Sequence, residues 1–126
     1  MDRACLAFPI LPGYADLARS FLGEIAGTRQ ADFVRAGRRF ALTRAHWFLV
    51  DGVGGEQLVV FFEGEDVTAA LDGLIRSRDA FNLWFKERLA EATGIDLNDL
   101  PEGIRPPELL ASFAAEAGAD QLSEPP

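Results

Sequence analysis

LTRAHWFLVDGVGGEQLVVFFE, residues 42–63, contains two apolar runs on either side of a glycine-rich turn. The runs, residues 42–50 and 57–63, are rich in aromatic and β-branched side chains, which favour strands. The turn, residues 51–55, reads Asp-Gly-Val-Gly-Gly and suits a tight connection. The sequence therefore predicts a β-hairpin at this position.

Both strands of this hairpin are apolar on both of their faces. Alternation divides the first strand into two sets, Leu42, Arg44, His46, Phe48 and Val50 on one face and Thr43, Ala45, Trp47, Leu49 and Asp51 on the other. One layer of helices can cover only one of these faces. We therefore expect a second cover for the other face, either another subunit or a ligand.

The segments outside the hairpin predict an α+β order. Residues 3–10 form a short apolar run before Pro12-Gly13, which indicates a strand and then a turn. Residues 14–38 have apolar positions at helical spacing, and we expect one long helix bent near Gly27. Asp66 and Asp79 are suited to begin two further helices, and Gly94 to end the second. The order β-α-β-β-α with an antiparallel sheet is that of a ferredoxin-like fold.

Length and charge divide the chain into a body and an extension. The 126 residues, 48% hydrophobic, suffice for one domain with a core, and the net charge is −8. We expect a ferredoxin-like α+β domain at 1–94 and an acidic C-terminal extension at 95–126, with a short helix after Pro106-Pro107 and a frayed end. Apolar residues of the extension are expected to pack on the body or on a partner subunit, namely Leu97, Leu100, Ile104, Leu109, Leu110 and Phe113.

The same composition limits location and partners. No stretch approaches the roughly 18–20 apolar residues of a membrane helix, and no signal peptide is recognisable, so we expect a cytoplasmic protein. The acidic excess disfavours nucleic acid and anionic membranes as partners. With one cysteine, Cys5, and one histidine, His46, the sequence offers no disulfide, CxxC or HExxH pattern, and we expect neither metal nor cofactor.

His46 is the candidate catalytic residue, because an imidazole is the side chain that accepts protons near neutral pH. Arg44, two residues earlier on the same strand face, is a candidate for binding a carboxylate or an enolate. Phe48 and Trp84 are the other candidate ligand-binding residues, whereas Trp47 is expected to be structural. The competing interpretation of His46 is a hydrogen-bonded interface residue, and the sequence leaves both open.

Three stretches resemble a family of small uncharacterised bacterial proteins within the dimeric α/β-barrel group, which includes antibiotic-biosynthesis monooxygenases. They are residues 4–13, residues 43–49 (TRAHWFL) and residues 79–96 (DAFNLWFKERLAEATGID). The resemblance implies a homodimer formed through the sheet, and a small apolar or aromatic ligand or a cofactor-free, monooxygenase-like reaction. Haem-degrading members carry a helical histidine, and His46 lies on a predicted strand, so haem is not expected. The alternative function is a non-catalytic structural or protein-interaction module.

Overall fold

A computed structural model describes residues 1–99, 108–111 and 113 of the chain. Its elements are β1 (Asp2–Pro9), α1 (Ala15–Ala26), α2 (Gln30–Arg39), β2 (Leu42–Gly52), β3 (Gly55–Gly64), α3 (Val67–Arg76) and α4 (Ala80–Thr93). This part of the chain is therefore an α+β fold with a three-stranded antiparallel sheet and four helices. Residues 108–111 and 113 have no regular secondary structure, and the other positions of the expected short helix lie outside the described residues.

The sheet has the order β1-β3-β2, with β3 antiparallel to both neighbours. The predicted hairpin is confirmed as β2 and β3, which close around the pair Gly52 and Gly55. Because both edge strands are antiparallel to β3, β1 and β2 run in the same direction. The connection between them must therefore cross the sheet, and it contains α1 and α2. Residues 95–97 form no strand and so do not extend the sheet at either edge.

The prediction of one long helix over residues 14–38 is wrong, because this segment forms two separate helices, α1 and α2. Gly27 has φ −116° and ψ −101°, which takes the backbone out of the helix after α1. Arg29 then returns its N–H to the carbonyl of Glu24 at 2.7 Å. The break allows α1 to pack on α4 while α2 lies against β2.

The predicted helix ends at Asp66, Asp79 and Gly94 are confirmed. The Asp66 carboxylate accepts a hydrogen bond from the N–H of Ala69 at 3.0 Å. The Asp79 carboxylate likewise accepts from the N–H of Phe81 at 3.2 Å. Gly94 ends α4 with φ 76°, in the left-handed region that glycine adopts without steric cost. These contacts satisfy backbone groups that the helix itself leaves unpaired.

All four helices lie on one face of the sheet, and the core is between them. Aromatic rings connect the two layers: Trp47 contacts Phe8 on β1 and Phe85 on α4, with centroids 6.3 and 5.6 Å apart. Phe85 in turn contacts Phe21 on α1 at 6.1 Å. Trp47 therefore faces the helices and packs against the core, as strand alternation predicts. Burying each such side chain stabilises the fold by about 1.5–3 kcal/mol.

Because of a β-bulge at the start of β2, Leu42 lies on the opposite face of the sheet from the one predicted. Leu42 pairs with Gly64 and Arg44 pairs with Glu63, so Thr43 is the extra residue. The Thr43 hydroxyl donates to the carbonyl of Glu63 at 3.3 Å. Leu42 consequently packs toward the helices. From Arg44 onward the alternation is as predicted.

The chain enters β2 through a left-handed residue, Ala41, with φ 57°. The carbonyl of Ala41 accepts the N–H of Glu65 at 3.2 Å, which ties the start of β2 to the end of β3. A Cβ atom on Gly64 would lie 2.6 Å from that carbonyl oxygen, so glycine is needed there. The close approach holds Ala41 in a conformation that costs an alanine about 1–2 kcal/mol.

Replacing Ala41 by glycine should therefore stabilise the protein. We expect Ala41→Gly to raise the free energy of unfolding by about 0.5–1 kcal/mol, because relief of the left-handed conformation exceeds glycine's entropic cost of about 0.5–1 kcal/mol. Urea denaturation measures the change. Ala90→Gly, inside α4, is the matched control, and its free energy of unfolding should be about 1 kcal/mol lower than that of wild type. A loss of stability in Ala41→Gly would contradict the interpretation.

Candidate functional site

A cavity of about 790 Å³ lies between the helix-covered face of the sheet and helices α2, α3 and α4. Its wall is mainly apolar and includes Phe33, Leu42, Trp47, Leu74 and Phe85. This volume is within the range of about 300–1,000 Å³ that is typical of small-molecule sites. An apolar wall favours a ligand with a large apolar surface.

The cavity exists because α2 covers the sheet loosely. No residue of α2 is fully buried. Its positions nearest β2 include the small residues Ala36 and Gly37, which leave space beneath the helix. Exposed residues of α2 and β2 also border the cavity, among them Gln30, Val34, Arg38 and Thr43. The entrance is therefore between α2 and the outer edge of β2.

The α2 side of the entrance carries arginines, most of which are partnered. Arg35 pairs with Asp32 at 3.0 Å, and Arg39 lies 3.9 Å from Asp79. Arg29, just before α2, stacks over the Trp84 ring at 4.1 Å. Arg38 borders the cavity and makes no ion pair with any residue that the structure describes. It leaves a positive charge at the entrance.

Two polar residues of α4 are buried beside the α3–α4 connection. Asn82 borders the cavity, and its Nδ2 donates to Ser77 Oγ at 2.9 Å. One turn later, Lys86 is fully buried, and its Nζ donates to the carbonyls of Ile75 and Ser77 at 3.0 and 2.9 Å. The carbonyls at the end of α3 need donors, which favours a buried cation at this place.

Burial lowers the pKa of Lys86 below its ordinary value of 10.5, because the apolar surroundings disfavour the charged amine. The positive charge of Arg78 lowers it further, whereas Asp96 acts in the opposite direction. Lys86 therefore stabilises the end of α3 at the cost of burying a charge.

The face of the sheet opposite the helices is bare in the described part of the chain, and we call it the open face. Its residues form cross-strand rows, Arg3-Glu63-Arg44, Cys5-Phe61-His46, Ala7-Val59-Phe48 and Pro9-Gln57-Val50. The first row is charged, with Glu63 3.8 Å from both arginines. The remaining rows are largely apolar, and Phe48 is 54% exposed. Cys5 is exposed on this face.

The structure brings three of the four candidate site residues together and separates the fourth. Arg44, His46 and Phe48 project from the open face at alternate positions of β2. The His46 ring stacks on Phe61 with centroids 6.5 Å apart. Trp84 lies on the other side of the sheet, where it contacts Phe21 on α1. Arg44 and His46 also border the cavity entrance from the edge of β2, whereas Phe48 and Trp84 do not line the cavity.

Sequence reasoning missed Asn82 as a site residue. A usable signal was present, because Asn82 and Lys86 are four residues apart in a helix whose other buried positions as far as Ala92 are apolar. The described residues contain no group of three or more His, Cys, Asp or Glu side chains placed to hold a metal ion. None of their helices combines the length and apolar character needed to cross a bilayer.

Because Lys86 is the only lysine in the sequence, its ionisation can be followed directly. We expect the side-chain signal of lysine-labelled protein to titrate below pH 10.5 by NMR. Between the folded pKa and the unfolded value, the unfolded chain binds more protons, so stability should rise with pH. The free energy of unfolding of wild type, relative to Lys86→Met, should therefore increase with pH in that interval. Burial of the charged amine would be contradicted if the difference in free energy of unfolding between wild type and Lys86→Met did not change with pH. It would also be contradicted if Lys86 titrated at its ordinary pKa.

Comparison with protein-family models, with curated proteins and with solved structures finds no match for this chain. The resemblance stated from the sequence therefore remains a prediction. What the protein does is inferred from the cavity and the open face.

Proposed function

We propose that the protein binds a small apolar or aromatic molecule in the cavity between the sheet and helices α2 to α4. The observation that carries this proposal is the cavity itself, about 790 Å³ in volume with a mainly apolar wall. A concave, mainly apolar space of this size with a few polar groups is the usual form of a small-molecule site. Filling it would bury apolar surface of the wall and of the ligand, which stabilises the complex.

The two tryptophans offer an internal test of this proposal. Trp47 lines the cavity and Trp84 does not. On titration with naphthalene, we expect the NMR signal of the Trp47 indole N–H to shift while that of Trp84 stays in place. Ala45→Phe, which fills the cavity from β2, should weaken binding at least about tenfold.

The matched control is Ala69→Phe, an exposed residue of α3 that does not line the cavity. It should leave the naphthalene affinity unchanged. Failure of naphthalene to shift the Trp47 signal, or equal binding by the Ala45→Phe variant, would refute the proposal.

The open face supports a second part of the proposal, the association of two copies through their sheets. Its apolar rows lie on all three strands, and Phe48 and Val50 are exposed there. Leaving several hundred Å² of apolar surface in water costs several kcal/mol, at about 25 cal/mol per Å². The order β1-β3-β2 also agrees with the ferredoxin-like, dimeric α/β-barrel arrangement that the resemblance implies. In this arrangement His46 is an interface residue.

Catalysis and partner binding are the other functions that the sequence leaves open. A monooxygenase-like reaction with His46 as proton acceptor needs a substrate that reaches the edge of β2, where His46 borders the cavity entrance. A non-catalytic interaction module would instead use the open face for a different protein. The oligomeric state of the purified protein distinguishes such an interaction module from the proposed homodimer.

We expect a homodimer of twice 13.7 kDa at micromolar concentration by sedimentation equilibrium. Phe48→Asp, in the centre of the open face, should shift it to the monomer, whereas Trp47→Asp should unfold the chain. Val53→Asp, at the fully exposed hairpin tip, is the matched control and should remain dimeric.

The single cysteine supplies a second readout, because Cys5 lies on the open face. Its reaction with a thiol reagent should slow as protein concentration rises, and Phe48→Asp should abolish that dependence. A wild-type species of 13.7 kDa whose Cys5 reacts equally fast at every concentration would overturn the dimer.

A further inference from the structure

One polar side chain interrupts the apolar wall of the cavity from a buried position. Asn82 is 2% exposed and borders the cavity on α4. Its carboxamide has a donor end and an acceptor end. One N–H of the donor end is used, because Nδ2 donates to Ser77 Oγ at 2.9 Å. Ser77 also accepts the N–H of Asp79 at 3.2 Å, so this contact is part of the α3–α4 connection.

The acceptor end of Asn82 has no partner in the described part of the chain. No described residue donates a hydrogen bond to Asn82 Oδ1. Among the described side chains, only Arg88 Nε is both completely enclosed and without a hydrogen-bond partner, so Asn82 Oδ1 retains accessible surface. Asn82 borders the cavity described above. A ligand that fills the cavity would remove water from Oδ1, at a cost of about 1–3 kcal/mol unless the ligand supplies a donor.

We infer that Asn82 Oδ1 is the specificity-determining acceptor of the cavity, and that the ligand is an apolar alcohol whose hydroxyl donates to it. This inference rests on the proposed binding of an apolar molecule in the cavity. The chemical class of the ligand follows from the side chains that line the cavity. A carboxylate has no hydrogen to donate to Oδ1, and an ammonium would be buried among apolar groups near the positive charge of Lys86. An amide would bury both an N–H and a carbonyl in a mainly apolar cavity, where an alcohol buries a single hydroxyl.

The neighbouring Lys86 explains why Asn82 can serve as a fixed acceptor. Lys86 lies one turn further along α4 and binds the carbonyls of Ile75 and Ser77. The backbone of Ser77 is thereby held by Lys86 while its hydroxyl is held by Asn82. An acceptor fixed in this way needs little reordering when a donor arrives, which favours discrimination between ligands.

The experiment compares alcohols with their methyl ethers, which have the same apolar body and no donor. Wild-type protein is titrated with 2-naphthol and 2-methoxynaphthalene, and in a second arm with 1-octanol and its methyl ether. We expect each alcohol to bind about tenfold more tightly than its ether, the effect of one hydrogen bond to a buried group. The two arms show whether the apolar body is aromatic or aliphatic.

Asn82→Leu keeps the side chain close in size and removes the acceptor. It should bring the ratio of alcohol to ether affinity close to one. Leu74→Met, an apolar wall residue replaced by another, is the matched control and should keep the wild-type ratio. The change in ratio between variants isolates the contact in the manner of a double-mutant cycle.

The wild-type protein provides a readout that does not depend on whether Asn82→Leu folds. The side-chain amide signals of Asn82 should shift with the alcohols and much less with the ethers. Equal affinity for alcohol and ether in wild type, or a ratio unchanged in Asn82→Leu, would overturn the inference while cavity binding stands. If no probe shifts the Trp47 indole signal, the proposed function itself fails.

Discussion

The packing of Trp47 between Phe8 and Phe85 is the contact on which the arrangement of this protein depends. It joins the edge strand β2 to β1 on one side and to α4 on the other. Because alternate residues of a strand face opposite ways, fixing Trp47 toward the helices also fixes His46 and Phe48 away from them. α2 carries arginines at Arg35, Arg38 and Arg39, and therefore lies on the sheet without burying any residue fully. The cavity beneath α2 and the open face behind β2 thus have one origin, a hairpin more apolar than its own helices can cover.

Two of the three buried polar side chains among the described residues, Asn82 and Lys86, lie at one end of the helix layer. Asn82 and Lys86 hold the α3–α4 connection through Ser77 and Ile75, and each of these contacts is 3.0 Å or shorter. The opposite wall of the cavity, formed by α2, has no comparable interior contact among the described residues. A cavity with one firmly bonded wall and one loosely packed wall can admit a ligand by movement of the loose side. The acceptor on Asn82 would then be in place before the ligand arrives.

Local sequence signals predicted the structural features that depend on neighbouring residues. They failed for features that depend on packing between residues far apart in the sequence. The hairpin, the caps at Asp66 and Asp79, and the inward direction of Trp47 follow from turn chemistry and strand alternation. The break after α1 did not, because a glycine permits a helix bend or a helix end, and only the separate packing of α1 on α4 and α2 on β2 selects the end. Alternation also placed Arg44, His46 and Phe48 on one face, but it has no information on where a later helix packs. Trp84 was therefore grouped with them although it lies across the sheet. Lysine is almost never fully buried, so the buried position of Lys86 ran against its usual behaviour.

The edge of β2 is the place where the two candidate surfaces meet. Arg44 and His46 belong to the open face by their direction, and they also border the entrance of the cavity. A second copy seated on the open face would therefore contact residues that a ligand passes on its way in. Binding free energies linked through a shared element are reciprocal, so whatever the dimer does to ligand affinity, the ligand must do to dimer affinity by the same factor. The bulge at Thr43 sits at the end of this edge and ties it to Glu63, the residue between the two arginines of the charged row. That row joins the entrance of the cavity to β1, and each of its two ion pairs, which involve exposed arginines, would oppose a displacement of β2 there by at most about 1 kcal/mol.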